Sequence, residues 1–267
     1  MKHRVNSARN TDEVPIDRSN AGSNLAVEEG TNLASIMSQY VSHGAAVIDL
    51  DAASRSRFIN RTYMHLTGAI FALVGFEVIM FKAGLAQAAV GMIGQNWIAM
   101  IILLLAVSFG ARWVAYRAES KVAQYMALGS YVVMMGLILL PILYIANQAM
   151  PEAIGNAAAI TFVGFGILTA IVFVTGKDFS FLRGIVYWGF ALAALACIGA
   201  LIFGFTLGPL YSLIVIGLCG ASILYDTSNV LHHSPEDRYV AAALELFCSI
   251  TIMFFHILRL FLMRGED

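Results

Sequence analysis

Residues 209–262 read PLYSLIVIGLCGASILYDTSNV, LHHSPEDR and YVAAALELFCSITIMFFHILRLFL, two apolar runs joined by a short polar link. Each run is long enough to cross a membrane, since about 20 helical residues span the hydrocarbon core. Each run also carries one acid, Asp226 in the first and Glu245 in the second. An acid at membrane depth costs roughly 2.5–3.5 kcal/mol, which makes a functional role the default expectation. This predicted hairpin is therefore the part of the chain that the other helices are expected to house.

Five further apolar runs precede the hairpin, each roughly 19–24 residues long, as a membrane span requires. The links between them are short, so neighbouring helices should be antiparallel and in contact. The sequence predicts an all-α integral membrane protein with seven transmembrane helices. The predicted spans cover residues of about 63–81, 97–115, 123–145, 156–175, 184–204, 209–230 and 239–262.

Charged residues are distributed unevenly along the chain. The 267 residues are 59% apolar and only 12% charged, whereas soluble domains carry about 25% charged residues. Of the 33 charged residues, 14 lie in the first 61 positions. We predict a cytoplasmic, mostly disordered tail over 1–54 and a seven-helix membrane domain over 55–267. Residues 41–61 have the mixed composition of a short interfacial helix, and a net charge of −1 gives no indication of nucleic-acid binding.

The basic residues of the short loops predict the orientation, because cytoplasmic loops carry an excess of Lys and Arg. With the N-terminus in the cytoplasm, only Lys82 lies in an outer loop before the final span, and Arg259 near the outer end is expected to snorkel to the interface. The first apolar run is expected to act as the membrane-insertion signal. The residues predicted on the cytoplasmic side are Arg55, Arg57, Arg61, Arg112, Arg117, Lys121, Lys177, Arg183 and Arg238.

The two acids of the hairpin are predicted to lie at the same depth. The link is centred near Pro235, so antiparallel helices place Asp226 level with a position of about 244, next to Glu245. Two carboxylates in a low dielectric would share a proton or bind a cation, because both cannot stay ionised and unpaired. Matching depth does not establish that the two side chains face each other.

The last run also carries a polar stripe. Glu245, Ser249, Ile252, His256 and Arg259 follow the spacing of one helix face. A polar stripe in an apolar span should face protein or water and not lipid. The alternatives are that Ser249 bonds to its own helix backbone and that His256 sits neutral near the outer interface.

Two charged residues of the earlier runs complete the candidate set. Arg112, at the end of the second run, is a counter-charge that would hold a pore closed by pairing with Asp226, or else it is a positive-inside anchor. Glu77 lies close to Lys82 and is predicted to be a rim residue.

No catalytic motif is visible, so no enzyme activity and no cofactor are predicted. The three cysteines lie inside apolar runs without metal-ligand spacing. No firm metal site is predicted, although Asp226 and Glu245 could contact a cation.

Four segments resemble the Bax inhibitor-1 family, also called the transmembrane Bax-inhibitor-motif family. They are SYVVMMGLILLPI, TAIVFVTGKDFSFLRG, SILYDTSNV and LFCSITIMFFHILRLF, and the likeness covers residues of about 55–263. The ILYDT segment and the Lys177–Asp178 turn are its most specific parts. The resemblance implies seven helices with the last one surrounded by the other six.

The resemblance also implies a gating site, from which this sequence departs at one position. Some members are pH-sensitive calcium leak channels with one acid in each of the last two helices and an arginine ending the second. Asp226 and Arg112 match that pattern, but the position of the second acid is Ser249. The pattern around Ser249 is more similar to the bacterial YccA-like branch, whose members restrain the membrane-bound AAA protease FtsH.

Two functions therefore follow from the sequence. The first is a YccA-like inner-membrane modulator of a membrane-bound AAA protease, with a tail long enough to reach a soluble partner. The alternative is a calcium leak gated by protonation of Asp226, with Glu245 replacing the missing acid and Arg112 closing the pore. Side-chain geometry discriminates between them. Glu245 pointing elsewhere, with Ser249 opposite Asp226, favours the modulator, and carboxylates of Asp226 and Glu245 within hydrogen-bond reach favour the channel.

Overall fold

The computed structural model describes residues 51–95, 110 and 120–264, most of which lie in helices. Six of the described helices are long and apolar enough to cross a membrane, so the expectation of an all-α, multi-pass membrane protein is confirmed. Residues 1–50 of the predicted tail and, apart from residue 110, the predicted second span 97–115 lie outside the described residues. The helices are α1 (Ala52–Lys82), α2 (Leu85–Gln95), α3 (Lys121–Ala149), α4 (Pro151–Thr175), α5 (Leu182–Phe203), α6 (Pro209–His232) and α7 (Tyr239–Arg264), with a short 3₁₀ turn (Glu236–Arg238) before α7.

Helix α1 starts earlier than the apolar run predicted. It begins at Ala52, where the Asp51 carboxylate accepts hydrogen bonds from the backbone N–H groups of Ala53 and Ser54 at 3.2 and 3.3 Å. No Gly or Pro lies between residues 52 and 61, so nothing interrupts the helix after this cap. The segment interpreted as part of a separate interfacial helix is thus, from Ala52 onward, continuous with the first span.

Glycine and proline set the ends of the other helices close to the predicted boundaries. Gly176 and Gly204 follow α4 and α5 with φ of 59° and 71°, a left-handed conformation that glycine adopts without a steric cost. Pro151 and Pro209 occupy the first positions of α4 and α6, where the missing N–H removes no intrahelical bond.

Helix α7 is mostly buried from Val240 onward. It packs against α1, α3, α4 and α6, and its residues Leu246, Phe247 and Cys248 are fully buried. Helix α5, by contrast, packs mainly on α6 and leaves large apolar side chains such as Trp188 exposed, as expected of a lipid-facing surface. Helices α6 and α7 are joined by a link of about six residues and form the predicted hairpin.

Candidate functional site

The hairpin brings Asp226 and Ser249 into contact in its interior. The Ser249 hydroxyl lies 3.2 Å from Asp226 Oδ2, and the Ser222 hydroxyl, one turn earlier on α6, lies 3.0 Å from the same oxygen. The exposed fractions are 5% for Asp226, 4% for Ser222 and 0% for Ser249. Two helices are therefore joined through one buried carboxylate and two hydroxyl groups.

The hydrogen bonds of Ser249 are not all made at once. Its oxygen also lies 2.9 Å from Ser222 Oγ and 3.3 Å from the Glu245 backbone carbonyl, but a hydroxyl carries a single proton. When Asp226 is ionised, both serines can donate to it. When Asp226 is protonated, Ser249 is free to donate to Ser222 or to its own helix. The hydroxyl network can thus rearrange with the charge of Asp226 without a change of backbone.

Glu245 lies one turn before Ser249 on α7, and its side chain is half-buried. The described contacts place Ser249 against Asp226. The pairing of Glu245 with Asp226 stays a prediction. Arg112 lies outside the described residues, and its role as counter-charge stays a prediction.

The C-terminal half of the predicted α7 stripe contacts the start of α6. Arg259 donates to the Leu207 carbonyl and to the Ser212 hydroxyl, the latter at 3.0 Å, and His256 Nδ1 lies 3.3 Å from that hydroxyl. Because Arg259 can only donate, the Ser212 proton is available for His256, whose Nδ1 then accepts. The Arg259 guanidinium binds the connection between α5 and α6, and its snorkelling to the interface stays a prediction.

Glu77 is not the rim residue that its proximity to Lys82 indicated. Its exposed fraction is 8%, and neither carboxylate oxygen has a hydrogen-bond partner among the described residues. The reason is its position on the buried face of α1, four residues after Leu73, which is itself four residues after Ala69. A charge there would be compensated by no described residue, which is a costly arrangement. The four-residue spacing that Glu77 shares with Ala69 and Leu73 is the sequence signal for its burial.

A second polar cluster lies at the turn between α4 and α5. Asp178 accepts a hydrogen bond from the Ser180 backbone N–H at 2.9 Å, from the Ser228 hydroxyl at 3.2 Å and from His233 Nε2 at 2.9 Å. The Ser228 hydroxyl also accepts from the Phe179 backbone N–H at 2.9 Å. Bonding to Ser180, ahead of His233, holds the pKa of the Asp178 carboxyl well below its usual range. This cluster ties the turn to the end of α6.

Within the described residues, no group of three His, Cys, Asp or Glu side chains is placed to bind a metal. The cation contact predicted for Asp226 and Glu245 stays a prediction. His232 and His233, adjacent in sequence, have separate partners: Nδ1 of His232 lies 3.0 Å from the Ser228 carbonyl, and His233 contacts Asp178.

The six described helices that are long and apolar enough to cross a membrane define a polytopic α-helical membrane protein. Residues 55–266 match the family model described as inhibitor of apoptosis-promoting Bax1, and the chain belongs to this Bax inhibitor-1 family. It is 27% identical to the Modulator of FtsH protease YccA of Escherichia coli K12 over 169 residues, 62% of this chain and 77% of the relative. It is 35% identical to protein PA2604 of Pseudomonas aeruginosa over 136 residues, 50% of this chain and 61% of that one.

Proposed function

We propose that this protein is an inner-membrane modulator of a membrane-bound AAA protease of the FtsH type. The observation that carries the proposal is the contact between Ser249 and Asp226. This contact supports a modulator, because a serine stands at the position where a channel of this family would carry a second acid. The similarity to a relative named as a modulator of FtsH protease supports the same conclusion.

The proposal includes a topology. The N-terminus lies in the cytoplasm, seven helices span the membrane, and α7 is central among the other six. The packing of α7 against α1, α3, α4 and α6 supports this arrangement. The positions of Lys121 and Arg183 at the starts of α3 and α5, and of Arg61 in the third turn of α1, support the orientation. The protein acts through binding and not as an enzyme, and it needs no cofactor.

Degradation of a membrane protein by purified FtsH in proteoliposomes tests the proposal. Addition of this protein should slow the degradation, and the two proteins should co-purify from membranes in mild detergent. A polytopic membrane protein of another family, reconstituted at the same density, controls for crowding of the bilayer. Unchanged degradation together with absence of the protease from the purified sample would overturn the proposal.

A calcium leak gated by protonation of Asp226 is the second candidate. The favouring observation is the burial of Asp226 beside two hydroxyl groups that can rearrange when it gains a proton. In this candidate Glu245 acts as the partner acid and Arg112 as the counter-charge, with calcium as the transported ion. Calcium flux into liposomes across a range of pH decides between the two functions. Equal flux in wild type, Asp226→Asn and Glu245→Gln would rule the acids out as the gate.

A further inference from the structure

An apolar groove of about 630 Å³ lies between α1 and α3. Its volume falls within the range of about 300–1,000 Å³ that is usual for sites of small organic ligands. The two helices run in parallel, since His65 contacts Tyr125 near one end and Phe81 contacts Tyr144 near the other. The groove is therefore a slot along the membrane normal and not a pit across it.

Small residues leave space along the groove between α1 and α3, and the Phe76 ring fills its far end. Gly68 on α1 and Gly129 on α3 line the groove, and a Cβ atom at either position would meet no atom within 4 Å. At the far end the Phe76 ring packs against Gly136, where an added Cβ would lie 2.4 Å from the ring. His65 and Phe76 are separated by about 16 Å of helix axis. One leaflet contributes half of the roughly 30 Å hydrocarbon core, so the slot has the length of one acyl chain in one leaflet.

The opposite end of the slot is polar and positively charged. His65 Nδ1 lies 2.7 Å from the Arg61 carbonyl, and Nε2 lies 2.7 Å from the Tyr125 hydroxyl. Since a carbonyl only accepts, Nδ1 carries the proton and Tyr125 can donate to Nε2. Arg61 lies one turn before His65 on α1, and Lys121 lies one turn before Tyr125 on α3. Each helix therefore presents a cation, then an aromatic ring, then apolar residues that include a glycine.

The two cations at this end converge on one aromatic ring. The Arg61 guanidinium lies 5.6 Å and the Lys121 ammonium 4.3 Å from the centre of the Tyr239 ring. Lys121 also donates to the Asp237 carbonyl. Among the described residues neither cation forms an ion pair with a carboxylate. Two positive charges held together without a described counter-charge favour an anionic ligand.

We propose that this groove binds an anionic phospholipid, with its phosphate against Arg61 and Lys121 and one acyl chain between α1 and α3. In the proposed orientation the lipid belongs to the cytoplasmic leaflet. The order of groups along the groove matches that of the lipid: a charged phosphate, a polar interfacial region and a single apolar chain. The site is separate from the Asp226 cluster and is independent of which function the protein performs.

Native mass spectrometry tests the site on protein purified from nanodiscs that contain phosphatidylglycerol and phosphatidylethanolamine with identical acyl chains. Wild type should retain phosphatidylglycerol in preference. The double substitution Arg61→Gln and Lys121→Gln should lower that retention on the order of tenfold. Arg183→Gln is the matched control, because Arg183 stacks on Tyr187 at 5.7 Å on α5, outside the groove.

A second variant tests the slot with both cations kept. Gly129→Leu places a side chain in open space inside the groove, and Gly155→Leu on α4 does the same outside it. Only Gly129→Leu should lower retention of the lipid. If the double variant is unstable, the single change at the exposed Arg61 replaces it. Equal retention of both lipids by wild type would overturn the proposal. An equal effect of the control variants would also overturn it. Full retention of the lipid in Gly129→Leu would overturn it too, and would assign the groove to another occupant such as a segment of the chain.

Discussion

Removing the Ser249 hydroxyl is expected to weaken the α6–α7 contact through Asp226. The substitution Ser249→Ala deletes one of two described hydroxyl groups within 3.2 Å of the same buried carboxylate oxygen. A hydrogen bond to a charged group contributes about 1.5–3 kcal/mol in soluble proteins. Side-chain couplings within a membrane average about 0.6 kcal/mol with a maximum near 1.7, because the unfolded state in the membrane also finds partners. We expect a coupling of about 1–2 kcal/mol between Ser249 and Asp226.

A double-mutant cycle measures this coupling. Ser249→Ala, Asp226→Ala and the double variant are unfolded reversibly in bicelles, and the coupling is the departure from additivity. Any cavity left at Asp226 is common to the single and double variants and cancels.

Thr251 supplies the matched control for the cycle. It is a buried hydroxyl of α7 that bonds its own helix, at 2.7 Å from the Phe247 carbonyl, so Thr251→Ala should not couple to Asp226. A Ser249–Asp226 coupling below about 0.3 kcal/mol, or one equal to that of Thr251, would refute the contact.

Three further substitutions give distinct outcomes. Glu77→Leu should stabilise the protein by about 1–3 kcal/mol in the same unfolding assay, because it removes two buried oxygens without partners; a loss of stability would reveal a partner for Glu77. The pKa of Asp178 is lowered in the folded state from 3.8, so the stability that Asp178 contributes is present above that pH and is lost as the pH falls toward its folded pKa. Asp178→Asn should therefore reduce the acid dependence of the melting temperature, and an unchanged dependence would contradict this account. Gly136→Ala should destabilise by about 1–3 kcal/mol through its clash with Phe76. Gly155→Ala, which meets open space, should be neutral or slightly stabilising, and equal effects of the two would contradict the packing.

The sequence predicts which residues are at membrane depth more readily than what they contact. Asp226 and Ser249 stand out because each interrupts an apolar run. Ser222, which completes their cluster, is one turn before Asp226, but a serine in a small-residue helix has no distinctive pattern. The depth argument places Glu245 level with Asp226, but rotation about the helix axis decides which residue faces the acid, and a depth estimate contains no rotation.

Contacts between distant parts of the chain cannot be predicted from one helix. The partner of Arg259, Leu207, lies 52 residues earlier in the chain. Likewise, the Lys177–Asp178 turn was distinctive in sequence, but its bond to His233 joins residues 55 apart. Hydrophobic periodicity gives the buried face of a helix, and the partner on that face depends on the packing of the whole bundle.

The hairpin of α6 and α7 is joined at two levels, by Ser249 with Asp226 in its interior and by Arg259 with Ser212 at the end away from the link. Sliding α7 along α6 by one helical turn would move every side chain about 5.4 Å, which would break both contacts at the same time. Axial sliding is therefore resisted at both levels. A change at Asp226 alone leaves the Arg259–Ser212 contact intact, and the short link holds the opposite end. Loss of the Asp226 contact therefore loosens the middle of the pair while both of its ends stay together.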